Sequence, residues 1–243
     1  MHVDRFEIAG RFCGPPRSGN GGYVCGRVAS RLPGPVAVRL KAPPPLHTEL
    51  RLESTGSAAR LFDGTTLVAE ARCAPLDLQP PRAPSRAEAE RAAQDYAGFH
   101  AHAFPGCFVC GPARQPGDGL RIFPGTVHAA GAGVGLLAAP WTPDASLAGD
   151  GGTVRPEFLW SALDCPGGFA VLPPVGGVAV VLGELWASIE GAVGAGEPCL
   201  VTAWPLAVDG RKHVAGSAVY GADGRLVARA RAVWLEVPAS SWT

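Results

Sequence analysis

No stretch of this 243-residue sequence gathers lysine and arginine into a basic surface, and the formal charge is zero, with 21 basic and 21 acidic residues. A nucleic-acid partner is therefore not expected. No apolar run reaches the roughly 18 residues that cross a bilayer, so no membrane span is expected. The opening Met1–Glu7 has neither the basic nor the apolar region of a secretory signal, and the expected compartment is the cytoplasm. Gly-x-Ser-x-Gly is absent, which removes the nucleophile elbow of serine hydrolases. The seven cysteines are odd in number and scattered, so they read as reduced thiols rather than a disulfide framework. What is present is a chain 47% hydrophobic and 17% charged, sufficient for a packed core and unlike a disordered one.

The chain repeats itself. Asn20-Gly21-Gly22-Tyr23-Val24-Cys25-Gly26-Arg27-Val28-Ala29 opens a short helix in the first part, and Arg155-Pro156-Glu157-Phe158-Leu159-Trp160-Ser161-Ala162-Leu163-Asp164 does so in the second. Each helix is followed by Val-Ala-Val, at 36–38 and 178–180. Each part then closes with a hairpin turned at Asp-Gly, Asp63-Gly64 and Asp223-Gly224, a pair that supplies the positive φ of tight turns. Helix, strand and hairpin in one order twice over indicate a tandem duplication.

Strands are expected at 3–13, 36–41, 47–54, 57–63 and 66–73, then at 133–139, 176–190, 197–208, 211–221 and 225–237, with another fed by the Gly117-Asp118-Gly119 turn. Residues 74–87 carry four prolines that a sheet interior would exclude, and 86–99 have helical propensity. The second helix is expected over 156–165, with Pro156 in its first turn and Pro166-Gly167-Gly168 ending it. The organisation is then residues 1–75 as the first unit, 76–106 as a linker with a helix, and 107–243 as the second unit.

A single helix followed by an antiparallel meander resembles the hotdog fold, and two copies resemble the double-hotdog acyl-CoA thioesterases. The likeness covers essentially the whole chain and implies an α+β fold in which each half wraps an antiparallel sheet around one central helix. Many hotdog thioesterases read His-Gly-Gly at the helix start with an acid nine positions on. Here Asn20-Gly21-Gly22 keeps the glycines with Asn for His, but the ninth position holds Ala29; Asp164 stands nine after Arg155, where Arg155-Pro156-Glu157 replaces His-Gly-Gly. Cys107-Phe108-Val109-Cys110-Gly111-Pro112 also looks like the opening of many single-hotdog proteins of this group.

Family sites lie between two hotdogs, so the resemblance implies one composite site pairing Asn20, Gly21 and Gly22 with Asp164. Helix N-terminal N–H groups would polarise a thioester carbonyl, and Asp164 would act as general base or nucleophile. The implied substrate is an acyl-CoA or acyl-carrier thioester, with coenzyme A entering only as part of it and no other cofactor. The competing reading is a catalytically silent acyl-CoA-binding module. An exposed outer strand of such a unit can pair with a second copy, which makes a homodimer an expectation.

Each candidate has a plainer reading. Asn20 is a common helix cap, Gly21 and Gly22 ease packing, and Asp164 can be a solvated helix-end acid. Glu157, Ser161 and Asp164 fall at i, i+4 and i+7, a polar stripe that is either solvated or substrate-facing. Trp160 and Phe169 are candidates for the acyl pocket, and Arg211, Lys212 and His213 for the phosphates of coenzyme A. His100-x-His102 with Cys107-x2-Cys110 has a spacing that could hold one zinc, but it lacks two standard ligand pairs and no metal is expected.

Overall fold

The computed structural model describes residues 1–128, 131, 133, 135–172 and 177–241. Along the chain β1 (His2–Glu7) leads to α1 (Gly21–Ala29), then β2 (Val36–Leu40), β3 (Glu49–Ser54), β4 (Ala58–Asp63) and β5 (Thr66–Cys73). After α2 (Arg86–Gln94) come the two-residue β6 (Gly125–Thr126), β7 (Leu137–Trp141) and α3 (Pro156–Ala170). The last four strands are β8 (Val178–Ile189), β9 (Cys199–Asp209), β10 (Lys212–Tyr220) and β11 (Leu226–Pro238).

Among the described residues these eleven strands form one antiparallel sheet, ordered β1-β3-β4-β5-β2-β8-β11-β10-β9-β7-β6. Counted outward from the middle, one side runs β2, β5, β4, β3, β1 and the other β8, β11, β10, β9, β7. The topology is thus the same twice, with β6 added at one edge. The halves join at a β2–β8 seam of four residue pairs, Val36↔Ala187, Ala37↔Trp186, Val38↔Leu185 and Arg39↔Glu184. Its outer pair is tied by Arg39 Nη2 to Glu184 Oε2 at 2.8 Å. The matched hairpins turn where the sequence predicts: Gly64 has φ +55° and Gly224 φ +79°, values that disfavour any residue with a Cβ.

The two central helices pack on each other as well as on the sheet. Gly22 and Gly26, one turn apart on α1, make this approach possible. A Cβ at Gly22 would lie 2.6 Å from Trp160 O and from Asp164 Cβ, and one at Gly26 would lie 2.6 Å from Glu157 Cα. Moving along α1 therefore means moving back along α3, so the helices run in opposite directions. α1 also packs on β2, β4, β5 and β8, and α3 on β7 to β11. Phe158, Leu163, Val24, Val28, Leu61 and Leu185 are fully buried between these layers. α2, started by a Ser85–Glu88 capping box, lies over β6 and β7 at the sheet edge.

Several expectations need correction. α3 does not end at Pro166 but continues to Ala170. Pro166 has no N–H to bond the preceding turn. Ser217 Oγ, from β10, donates to the Leu163 carbonyl, next to the Ala162 carbonyl that the proline leaves without its helical donor, at 2.7 Å. The first strand stops at Glu7 rather than 13. The turn at Gly117–Gly119 feeds no strand: the Leu120 and Ile122 N–H groups bond Phe108 O and Val109 O in the neighbouring loop. The helix expected within 86–99 is regular to Gln94 and ends in a separate 3-10 turn at Ala97–Phe99. Position 134 of the strand expected at 133–139, and position 176 of that at 176–190, lie outside the described residues.

Candidate active site

Asn20 sits at the head of α1 and divides its side chain between two tasks. Its Oδ1 caps the helix by accepting the Tyr23 N–H at 2.9 Å. That fixes the amide, and Nδ2 donates across to Asp164 Oδ2 at 2.9 Å. The Gly22 N–H, one of the α1 first-turn amides without an intrahelical acceptor, donates to the same oxygen at 2.8 Å. Asp164 is 2% exposed, and its Oδ1 has no hydrogen-bond partner among the described residues. Burial pushes the Asp164 carboxyl up to about 7. The Gly22 N–H opposes this, nearby Cys107 adds to it, and the Asn20 amide opposes it.

Asn20 and Asp164 line a cavity of about 240 Å³. Asn20, Gly21, Asp164, His102, Cys107, Cys110 and Cys165 supply its polar lining, while Leu40, Phe169, Leu172, Leu182, Trp234 and Leu235 supply apolar walls. Lys41 also lines it and is paired with Glu70 at 2.8 Å. An apolar chamber with a few convergent polar groups is the usual make-up of a small-molecule site.

Of the sequence candidates, the structure brings together Asn20, Gly21, Gly22 and Asp164, with Gly22 engaged through its N–H rather than exposed to the cavity. Glu157, Trp160 and Ser161 do not line the cavity but face α1. Ser161 is fully buried and its hydroxyl donates to Glu157 O at 2.8 Å, and Asp164 is buried too, so the stripe is not solvated. Arg211 and Lys212 flank the exposed β9–β10 turn, outside the cavity lining. His213 pairs with Glu236 at 2.6 Å instead. Phe169 and His102 do line the cavity. The corresponding start of α3 lacks a counterpart site: Glu157 is set against Gly26, and Ala29 stands where a carboxylate would be required.

Sequence reasoning missed Cys165, which α3 places beside the Cys107-x2-Cys110 loop. The three sulfurs lie within 4.8 Å of one another, with Cys107 Sγ and Cys165 Sγ 3.6 Å apart. Lys41, Trp234 and Leu182 were also missed. Only adjacency of Cys165 to Asp164 hinted at the first; pairing of distant strands places the others.

No protein-family model matches the sequence, and no curated protein matches it. Solved structures do. The tesB protein of Mycobacterium avium subsp. paratuberculosis superposes with a TM-score of 0.64 at 13% identity, covering 97% of this chain and 93% of that one. Acyl-CoA thioesterase II TesB2 of Mycobacterium marinum gives a TM-score of 0.62 at 12% identity, covering 99% and 94%. A hot dog fold protein of unknown function from Alicyclobacillus acidocaldarius gives 0.52 at 10% identity, covering 97% and 93%. The fold is a double hotdog. At such low identity the likeness concerns architecture alone.

Proposed function

We propose that this double hotdog hydrolyses an acyl thioester, of coenzyme A or of a carrier protein, in the cavity at the head of α1. Asp164 carries this reading: a buried carboxylate in the cavity wall, held by Asn20 and Gly22 from the other half of the chain, keeps one oxygen unpartnered among the described residues. A thioester carbonyl placed beside Gly21 would meet a first-turn amide and the positive end of the α1 dipole. Asp164 Oδ1 takes a proton from water as the water oxygen attacks the carbonyl carbon. The C–S bond breaks, and the departing thiolate recovers the proton. Direct attack by Asp164 would instead form a mixed anhydride that water then cleaves. Label found on Asp164 after a single turnover in ¹⁸O water would establish the second route, with water attacking the aspartyl carbon of the anhydride.

The test is thiol release from short, medium, long and aromatic acyl-CoAs by wild type and Asp164→Asn. Loss of at least about 10²-fold in the variant is expected for removal of the base. A second reading, ligand binding without hydrolysis, draws on the Gly22 N–H being spent on Asp164 rather than left for substrate. Saturable acyl-CoA binding by a wild type that releases no thiol would establish it.

A further inference from the structure

We propose that Cys107, Cys110 and Cys165 bind one zinc(II) ion, with the fourth coordination position open to the cavity. Thiolates 2.3 Å from a tetrahedral zinc lie about 3.8 Å apart. The 3.6 Å between Cys107 and Cys165, within a cluster no wider than 4.8 Å, accepts the ion with little movement. The same spacing is far from the roughly 2.05 Å of a disulfide. All three cysteines are buried, and all three line the cavity. A water molecule or a substrate atom could therefore complete the shell, the arrangement of zinc sites that keep an open position.

Hydrogen-bond donors surround the sulfurs. The Cys107–Gly111 loop is closed by Gly111 N–H donating to Cys107 O at 2.9 Å, and a Cβ at Gly111 would lie 2.5 Å from that oxygen. His102 Nδ1 accepts the Phe104 N–H at 2.9 Å, so the neutral ring carries its proton on Nε2, which lies 3.4 Å from Cys110 Sγ. His102 is thus a donor to a ligand sulfur rather than a fourth ligand. Asn20 Nδ2 adds a further donor, 3.8 Å from Cys165 Sγ and 4.0 Å from Cys107 Sγ. For all three sulfurs to ionise in a buried pocket a cation is needed as well as donors, and a d¹⁰ ion such as zinc(II) suits three sulfurs.

Metal uptake needs no substrate, so it stands apart from thioester hydrolysis. Reduced, chelator-treated protein is titrated with zinc(II), and with cobalt(II) as a spectroscopic probe of thiolate ligation. One equivalent per chain is expected, with thiolate-to-cobalt charge-transfer absorption and release of protons on binding. Cys165→Ser should weaken binding at least about 100-fold; Cys110→Ser serves as a second ligand variant should the first not fold. His102→Ala should keep the one-equivalent stoichiometry and lose about 10- to 100-fold in affinity, as for other donors to ligand atoms. Cys73→Ser, outside the cluster, should bind as wild type does. Failure of the reduced, folded wild type to take up either metal would overturn the site, as would equal binding by Cys165→Ser and Cys73→Ser.

Discussion

Asn20 and Asp164, 144 positions apart in sequence, meet side chain to side chain through a 2.9 Å hydrogen bond that joins the start of one helix to the interior of the other. Asn20→Ala removes the α1 cap and one donor to Asp164, and should lower stability by about 1 to 3 kcal/mol. Asn20→Asp keeps a capping oxygen but sets two carboxyl groups against each other, which cannot readily both ionise. Its destabilisation should grow between pH 5 and pH 8 and exceed that of Asn20→Ala at the higher pH. Urea unfolding of the two variants at both pH values checks this; equal losses at pH 8 would contradict the contact.

Asp164 also sets a pH dependence, best measured on metal-free protein. Its folded carboxyl titrates at about 7, against an ordinary value of 3.8, so the folded state holds the proton more tightly than the unfolded chain. The stabilising contribution is therefore full below about pH 3.8 and is lost as pH rises through about 7. Thiol release, which needs the ionised form, should run the other way and rise through about pH 7. Asp164→Asn should flatten this component of the stability profile. A wild-type rate that does not change between pH 5.5 and 8.5 would exclude Asp164 as the base.

Gly22→Ala and Gly26→Ala should each destabilise by about 1 to 3 kcal/mol, because the new methyl meets backbone and Cβ atoms of α3 at 2.6 Å that cannot simply rotate away. Gly56→Ala, where a Cβ meets nothing within 4 Å, should stay within about 0.5 kcal/mol of wild type. Thermal or urea unfolding of the three proteins distinguishes helix packing from a general sensitivity of glycines.

Ser217→Ala should cost about 1 to 3 kcal/mol, since the buried Leu163 carbonyl then loses its outside donor. Pro166→Ala restores an N–H whose i−4 acceptor is Ala162 rather than Leu163, so the Ser217→Ala loss should be about the same in that background. A double-mutant cycle by urea unfolding gives the coupling, and a Ser217→Ala loss that shrinks markedly without Pro166 would contradict separate acceptors.

Much of the architecture was readable from local patterns. Alternating strands, Asp-Gly turns and one glycine-rich helix start gave the order of elements in each half, because each is set by neighbouring residues. Where the sequence misled, a distant partner decided. Pro166 marks a helix end on local grounds, yet α3 runs on to Ala170, packed against β8 to β11. Glu157, Ser161 and Asp164 look like a solvated stripe until a second helix covers them, and nothing in α3 announces that Gly22 and Gly26 are that cover. The Asn20–Asp164 pairing followed from the resemblance and the composite site it implies. Cys165 did not, because its meeting with Cys107 and Cys110 depends on where a loop lies against α3.

The four-pair β2–β8 seam has a kinetic and physiological corollary. Both sides of the cavity belong to one covalent chain, so its assembly is unimolecular and dilution cannot take it apart. The specific activity of such a site should be independent of protein concentration, and only unfolding, not dissociation, separates Asn20 from Asp164.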